Sequence, residues 1–256
     1  MGPFAGKVVL VTGASSGLGA AAARQFARGG GKVVVAARRR DKGEAVAQEL
    51  GALGGEGLFV QADITKRADL EALIAATLER FGRLDAAVNN AGVSGPIRTP
   101  IAEIEEEGWD EVMNTNLKAV WMCMKHEIPA MLKSDGGGAI VNIASIYGTK
   151  PSDIGHAPYC ASKFGVIGLS KSAAIDYAMQ GVRVNVVSPG YAHSEMVHFS
   201  EKSEFWRNIV KRHTAMGRLG EADEIAAAVA WLCSDEARYV NGANLIVDGG
   251  ENSKLA

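Results

Sequence analysis

The sequence predicts an α/β protein with one doubly wound parallel sheet of seven strands. Short β-branched runs without polar alternation, such as residues 8–11, are typical of strands buried on both faces, as in parallel sheets. These runs alternate with longer helical segments along the whole chain. No Pro/Gly/Ser-rich linker, repeat or low-complexity segment interrupts this alternation, so we expect residues 1–256 to form a single domain.

The composition is that of an ordinary soluble globular protein, and it excludes several functions. The 27 Lys and Arg against 29 Asp and Glu give a net charge of −2, and the dispersed basic residues argue against a nucleic-acid partner. The 3 cysteines are widely spaced and match neither a disulfide framework nor a metal site. No apolar run is long enough to span a membrane, and a strand at residue 7 leaves no room for a signal peptide. We therefore expect a cytoplasmic protein without a metal or a membrane partner.

The first strand, over residues 7–12, leads into a glycine-rich turn and then an alanine-rich helix that reaches about residue 28. Glycines let the backbone approach a pyrophosphate, and a helix N-terminus offers free N–H groups and the positive end of its dipole. A tight connection with no ligand is the alternative interpretation. The turn contains the residues Thr12, Gly13, Ala14, Ser15, Ser16, Gly17, Leu18 and Gly19.

A run of three arginines follows the second strand, which covers residues 32–37, and precedes a helix to about residue 50 with Asp41 as its N-cap. The strand ends at Ala37, where a dinucleotide fold that prefers NAD would carry an acid for the ribose 2′-hydroxyl. Arginines before a helix N-terminus are poorly placed against the dipole unless an anion accompanies them. A 2′-phosphate held by Arg38 and Arg39 fits, and it favours NADP over NAD. A solvated basic run, or Asp41 as a ribose acceptor, is the alternative.

The remaining pattern completes the sheet. Asp63 follows the third strand and either accepts from an adenine amino group or caps the next helix. A long helix has an apolar middle at 119–124, which indicates burial on several faces and contact with another subunit. Residues 191–214 are rich in large side chains and are expected to form a lid or substrate loop. The predicted strands cover 58–60, 84–88, 139–143, 182–187 and 245–247, and the predicted helices cover 66–81, 109–132, 158–180 and 220–233.

A tyrosine and a lysine with helical spacing are the candidate catalytic pair. Tyr159 and Lys163 lie one turn apart on a helix that starts at Pro158, so both side chains share a face. A nearby ammonium lowers the pKa of a phenol, which then exchanges a proton with a carbonyl or alcohol oxygen. Ser145 lies just past the fifth strand, at the end of the sheet where ligands bind in open parallel sheets.

These motifs, in this order, resemble the short-chain dehydrogenase/reductase family in its single-domain form of about 250 residues. The resemblance covers nearly the whole chain and implies a seven-stranded Rossmann fold in a homotetramer or homodimer. The helices that start at residues 109 and 158 would form the subunit contact. The motifs are Thr12-Gly-x-x-x-Gly-x-Gly19, Asn89-Asn90-Ala91-Gly92, Asn116 in Asn-Thr-Asn-Leu, Ser145, Tyr159-x-x-x-Lys163 and Pro189-Gly190.

The resemblance also implies a role for each of these residues. Tyr159 would be the general acid/base, and Lys163 would lower its pKa and hold the nicotinamide ribose. Ser145 would polarise the substrate oxygen, and Asn116 would position a water for a proton relay. Cofactor contacts would come from the glycine turn at Gly13, Ser15, Ser16, Gly17, Leu18 and Gly19, from the adenosine side at Asp63, Ile64 and Asn90, and from the nicotinamide side at Pro189, Ala192 and Ser194.

The expected function is hydride transfer between NADP(H) and a small-molecule carbonyl or alcohol. Two alternatives remain at this point: a nicotinamide-binding sensor or scaffold without turnover, and an NAD-preferring alcohol or sugar dehydrogenase. The sensor would be expected to lack one of the four catalytic residues, and none is missing. His156, His193 and Tyr191 lie near the expected pocket mouth, where packing or surface roles are favoured over contact with substrate.

Overall fold

A single sheet of seven parallel strands forms the centre of the protein. The computed structural model describes residues 2–134, 137–193, 208, 210 and 212–254. The strand order is β3-β2-β1-β4-β5-β6-β7, and every neighbouring pair is parallel. The predicted fold class is confirmed. The strands are β1 Val8–Thr12, β2 Lys32–Ala37, β3 Glu56–Gln61, β4 Ala86–Asn89, β5 Gly138–Ile143, β6 Val182–Pro189 and β7 Asn244–Val247.

Helices cover both faces of the sheet and bury one apolar layer on each side. One layer contains α1, α2 and α7, and the other contains α3, α5 and α6. Strands in the middle of the sheet are almost fully buried, which explains their continuous β-branched runs. The helices are α1 Gly17–Arg28, α2 Arg40–Ala52, α3 Arg67–Phe81, α4 Glu106–Met113, α5 Ala119–Leu132, α6 Ala157–Tyr177 and α7 Ala222–Cys233.

The strand order reverses between β1 and β4, which positions the functional site. β1 pairs with β2 on one side and with β4 on the other, so the connections after β1 and β4 leave in opposite directions. The carboxyl ends of these two strands, at Thr12 and Asn89, therefore open a crevice at the edge of the sheet. Ligands of doubly wound sheets bind in such a crevice.

Several predicted boundaries were wrong by a few residues. The second helix begins at Arg40 with Arg39 as its N-cap, so Asp41 lies in the first turn and is not the cap. The third strand is twice as long as predicted, because 56–57 and 61 also pair with β2. Asp63 does not cap α3, which begins at Arg67; its Oδ1 instead accepts from the amide and hydroxyl of Thr65.

The predicted long helix at 109–132 begins earlier and is interrupted. α4 starts at Glu106, and a π-helical turn over Asn114–Lys118 joins it to α5. The apolar middle of α5 is buried except for Trp121, which is 43% exposed. Of the helices described, none combines the length and the apolar character needed to cross a membrane.

Candidate active site

The glycine turn after β1 is shaped as a cradle for a phosphate group. Gly13 and Gly17 have φ angles of 64° and 53°, which disfavour residues with a side chain. A Cβ on Gly19 would lie 2.5 Å from Asn90 Nδ2, so the backbone could not approach this closely with a larger residue. α1 starts without a side-chain cap at Ser16 and has no acid in its first turn, which leaves its N–H groups for an anion. These features fit the pyrophosphate of a dinucleotide.

Asn90 holds the glycine turn in place from the neighbouring strand. Its Nδ2 donates to the carbonyl oxygens of Thr12 and Gly13 at 3.0 and 3.3 Å. The Thr12 hydroxyl in turn accepts a hydrogen bond from the backbone N–H of Asn90 at 3.0 Å. Thr12 was not among the predicted site residues, although a hydroxyl at the carboxyl end of β1 is a usable signal. The contact of Asn90 with adenosine stays a prediction.

The structure separates the two predicted arginines. Arg39 lies over the glycine turn, where its Nη2 donates to Ser15 Oγ at 3.0 Å and to Ser16 Oγ at 2.6 Å. Both arginines are exposed, but the charge of Arg38 acts on Asp63 instead. Arg39 therefore brings its positive charge to the end of the cradle.

Asp63 and Ile64 lie at the end of β3. Burial acts to raise the pKa of Asp63, but hydrogen bonds from Thr65 and the charges of Arg38 and Lys66 outweigh it and lower the pKa. Asp63 is therefore an ionised acceptor near neutral pH. The Ile64 side chain is only 7% exposed and packs in the core, which leaves its backbone for the predicted adenine contact.

Tyr159 and Lys163 lie on the first turns of α6 with their side chains together. Lys163 Nζ lies 5.4 Å from the centroid of the Tyr159 ring and donates to the carbonyl oxygen of Ile143 at 2.9 Å. Burial lowers the pKa of Lys163 to about 8 and raises the pKa of Tyr159 to about 12. The ammonium faces the ring and a carbonyl, and the group that opposes burial at Tyr159 is Ser145. The expected lowering of the Tyr159 pKa by Lys163 stays a prediction.

Ser145 supplies the second hydroxyl of the site. It follows β5, is 7% exposed, and its Oγ accepts from the Tyr147 amide at 3.2 Å. The Ser145 side chain lies near enough to Tyr159 to oppose the effect of burial on the Tyr159 pKa. The two hydroxyls therefore lie close enough to contact one substrate oxygen.

Asn116 lies in the π-helical turn, which directs its side chain into the protein. Its side-chain amide forms two hydrogen bonds with the backbone of Val93. Nδ2 donates to the Val93 carbonyl oxygen and Oδ1 accepts from the Val93 backbone N–H, both at 2.8 Å. Nδ2 also lies 3.3 Å from Ser162 Oγ, and this hydroxyl donates to the Tyr159 carbonyl at 2.7 Å. Ser162 was not predicted, although its place between Tyr159 and Lys163 marks it. A π-turn at a functional site is common.

The nicotinamide side of the site is described in part. Pro189 ends β6, and Ala192 forms a parallel bridge with Gly220. Ser194 and most of the predicted substrate loop at 191–214 lie outside the described residues. At the start of this loop, the Tyr191 hydroxyl lies 2.7 Å from the Tyr147 hydroxyl. His193 lies 3.6 Å from a Glu221 carboxylate oxygen.

A doubly wound sheet with this cradle and this tyrosine–lysine pair defines a class of dinucleotide-binding oxidoreductases. A family model described as "Enoyl-(Acyl carrier protein) reductase" matches residues 13–252. The chain belongs to the short-chain dehydrogenase/reductase family, as the sequence motifs indicated. The crystal structure of levodione reductase superposes with a TM-score of 0.93 at 33% identity, over 98% of this chain and 100% of that chain.

Two curated relatives are similar over nearly their full lengths. An "A-factor type gamma-butyrolactone 1'-reductase (1S-forming)" of Streptomyces virginiae is 43% identical over 95% of both chains. A "Cyclohexanol dehydrogenase" of Acinetobacter sp. (strain SE19) is 41% identical over 98% of this chain and 97% of that protein. By their names, these relatives are oxidoreductases that act on small molecules. This chain belongs to the same family of oxidoreductases.

Proposed function

We propose that the protein is an NADP(H)-dependent oxidoreductase that interconverts a ketone or aldehyde and an alcohol. The observation that supports this best is the Ser145–Tyr159 hydroxyl pair at the carboxyl end of the sheet, with Lys163 one turn away. Bound nicotinamide supplies the hydride, which no side chain can supply. The protein binds and orients the reactants and controls the proton.

Tyr159 is the proton donor in the reducing direction. Its pKa of about 12 keeps the phenol protonated near neutral pH, so it can give its proton to the substrate oxygen. The Ser145 hydroxyl donates a hydrogen bond to the same oxygen. In the oxidising direction the phenolate accepts the alcohol proton.

Asn116 and Lys163 lie on the same side of Gly92, where an added Cβ would be 3.1 Å from Asn116 Oδ1 and 3.8 Å from Lys163 Nζ. This proximity supports the expected proton relay, in which Asn116 positions a water and the proton passes through Lys163.

The preference for NADP rests on Arg39. Its guanidinium lies between the serines of the glycine turn and the end of β2, where the adenosine ribose of a dinucleotide would lie. Ala37 ends that strand and cannot accept from a ribose 2′-hydroxyl. A 2′-phosphate in this place would receive charge-assisted hydrogen bonds from Arg39, with Arg38 as a further positive charge nearby.

The test is a fluorescence titration with NADPH beside NADH, followed by turnover assays with the tighter cofactor. The names of the similar proteins put cyclic ketones and secondary alcohols first in the substrate panel. Tight NADPH binding with turnover of any ketone supports the proposal. Binding without turnover across the panel would favour a sensor, and tighter NADH binding would overturn the 2′-phosphate assignment.

An exposed apolar face supports a homotetramer or homodimer as part of the proposal. Trp121 on α5 and Phe164 on α6 are 43% and 47% exposed. Trp121 also borders a groove that Gly165 and Leu169 of α6 line on the other side. Large exposed apolar groups on adjacent helices are typical of subunit contacts. Light scattering after size-exclusion chromatography measures the oligomeric state. The Trp121→Glu/Phe164→Glu double variant is expected to have a lower molecular mass than the wild type. An unchanged mass would assign the contact to another face.

The remaining parts of the proposal concern the chain as a whole. Residues 1–256 act as one unit, and the segment at 191–214, most of which lies outside the described residues, serves as the substrate loop. A reducing cytoplasmic environment is supported by Cys123, Cys160 and Cys233, which are free thiols. Limited proteolysis tests the role of this segment, because cleavage within 191–214 is expected to slow in the presence of cofactor and substrate.

A further inference from the structure

The ring of His156 lies flat against the ring of Tyr159. His156 immediately precedes α6, three residues before the tyrosine, and is 8% exposed. The ring centroids are 4.5 Å apart and the ring planes differ by only 6°. The sequence favoured packing or a surface role for His156. The stacking places it in direct contact with the proposed proton donor.

One hydrogen bond fixes the tautomer and the orientation of this imidazole. His156 Nε2 lies 2.8 Å from the Ser94 carbonyl oxygen and 3.2 Å from Ser94 Oγ. Because a carbonyl oxygen only accepts, Nε2 carries the hydrogen and Nδ1 carries a lone pair. Nδ1 is buried and has no hydrogen-bond partner within the described part of the chain. Burial lowers the pKa of His156, so the ring that stacks on Tyr159 is neutral near pH 7.

The same segment of chain connects His156 with Asn116. Ser94 follows Val93, whose amide and carbonyl both bond to the Asn116 side chain. Asn116 and His156 therefore hold consecutive residues of the segment after β4. Tyr147, whose ring is 6.4 Å from that of His156 and nearly perpendicular to it, closes the other side. The imidazole therefore lies against three parts of the chain: the segment after β4, the segment after β5 and the first turn of α6.

We propose that His156 is a positioning residue for proton transfer, which holds the phenol of Tyr159 in place through its stacked ring and its bond to Ser94. This inference rests on the proposed function. A side chain with only a packing role would need neither the Nε2–H nor a neutral charge. Protonation of Nδ1 would put an unpaired buried donor and a positive charge against the phenol ring. The groups that face the ring are Ser94, Tyr147 and Tyr159, with the Lys163 ammonium beyond the phenol.

The test compares His156→Phe, which keeps a ring but lacks the donor, with His156→Gln, which keeps a donor but lacks the ring. We expect kcat for ketone reduction to fall by about 10- to 100-fold in each variant, since small misplacement of a catalytic group has effects of this size. NADPH affinity and Tm are expected to stay close to those of the wild type, which shows that the variants fold. In the wild type, kcat is expected to fall at acid pH, where His156 gains a proton. This acid limb of the pH profile is expected to disappear in both variants. His126→Phe on α5 is the matched control and should keep both the rate and the limb.

Wild-type kcat and an unchanged acid limb in both variants would overturn the proposal and leave His156 as packing. A second readout does not depend on turnover. Imidazole ¹⁵N shifts of the wild type are expected to show the Nε2–H tautomer and a pKa below the ordinary value of about 6.5. An Nδ1–H tautomer, or a pKa at or above that value, would contradict the proposal. Activity in Tyr159→Phe would instead count against the proposed function, so the two failures are distinguishable.

Discussion

The side-chain amide of Asn89 donates to the carboxyl group of Glu127 at 3.0 Å, in a region closed to solvent between β4 and α5. The same Nδ2 donates to Asn142 Oδ1 at 2.9 Å, and Asn142 in turn donates to Ser170 Oγ at 2.8 Å. Among the described residues, Glu127 Oε1 and Asn89 Oδ1 have no hydrogen-bond partner. Two unsatisfied oxygens in one pair indicate that Glu127 carries a proton in the folded protein, because a neutral carboxyl group can donate as well as accept.

We expect Glu127→Gln to raise the free energy of unfolding at alkaline pH. Burial raises the pKa of Glu127 to about 7, although the Asn89 hydrogen bond opposes this. The unfolded value is about 4.3, so the wild type loses stability as pH rises from about 4.3 through 7. The loss is on the order of 3 kcal/mol above pH 7. Glutamine stays neutral and keeps a donor, so the variant avoids this loss.

Urea unfolding at pH 5.5 and pH 8.5 measures this difference between the wild type and Glu127→Gln. The exposed Glu79→Gln on α3 is the control and should follow the wild type at both pH values. If Glu127→Gln lost stability with pH as steeply as the wild type, the carboxyl group would already be ionised in the folded state.

Tyr159→Phe is expected to reduce turnover by about 100- to 10,000-fold, the usual contribution of a general acid/base. The substitution removes only the hydroxyl that gives the proton, so NADPH affinity should stay within a few-fold of the wild type. Steady-state kinetics and cofactor fluorescence measure the two effects. Tyr239→Phe, at a fully exposed tyrosine, is the control and should be unchanged. A Tyr159→Phe variant that kept most of its turnover would require another proton donor.

The fold was predictable from the sequence to a greater extent than the site. Continuous β-branched runs such as 8–11 are typical of strands buried on both faces of a parallel sheet, so the strands and their alternation with helices followed from local patterns. The π-turn around Asn116 and the stacking of His156 on Tyr159 depend on packing between segments far apart in the chain. The spacing of Tyr159 and Lys163 reveals the nearby charge but not the burial, which raises the pKa of Tyr159 in the fold. Thr12 and Ser162 have positions that mark them in the sequence, but their hydrogen bonds to Asn90 and Asn116 depend on the fold.

The rate of ketone reduction is expected to fall as pH rises above about 8. Burial lowers the pKa of Lys163 to about 8, so its ammonium loses the proton in this range while Tyr159 keeps its own. Because kcat/KM reports the free enzyme, its alkaline limb should lie near pH 8. Lys163→Arg, which stays charged, should move this limb to higher pH even if the absolute rate is lower. The exposed Lys171→Arg on α6 is the control; an alkaline limb common to all three proteins would belong to another group.

Arg39→Ala is expected to weaken NADPH binding by about 10- to 100-fold, the range for hydrogen bonds to a charged group. NADH lacks the 2′-phosphate, so its affinity should change less than about twofold. Arg38→Ala removes an equal charge from the preceding residue and should have the smaller effect, because Arg39 is the arginine that donates to Ser15 and Ser16. Fluorescence titration of both cofactors with both variants gives four ratios of dissociation constants, each of a variant to the wild type for one cofactor. Equal loss of NADPH and NADH affinity in Arg39→Ala would remove the 2′-phosphate from the proposal.

Gly19→Ala is expected to abolish measurable cofactor binding while most of the fold persists. The added Cβ would lie 2.5 Å from both Asn90 Nδ2 and the Gly13 carbonyl oxygen, so the turn and the asparagine that holds it must move apart. Gly51→Ala in α2 is the matched control, since its Cβ meets no atom within 4 Å. That variant should gain about 0.5–1 kcal/mol of stability, the usual difference between alanine and glycine in a helix, with unchanged NADPH affinity. Circular dichroism and cofactor titration separate the two effects. Normal binding by Gly19→Ala would mean that the cradle tolerates a wider turn and that close backbone approach is not what holds the pyrophosphate.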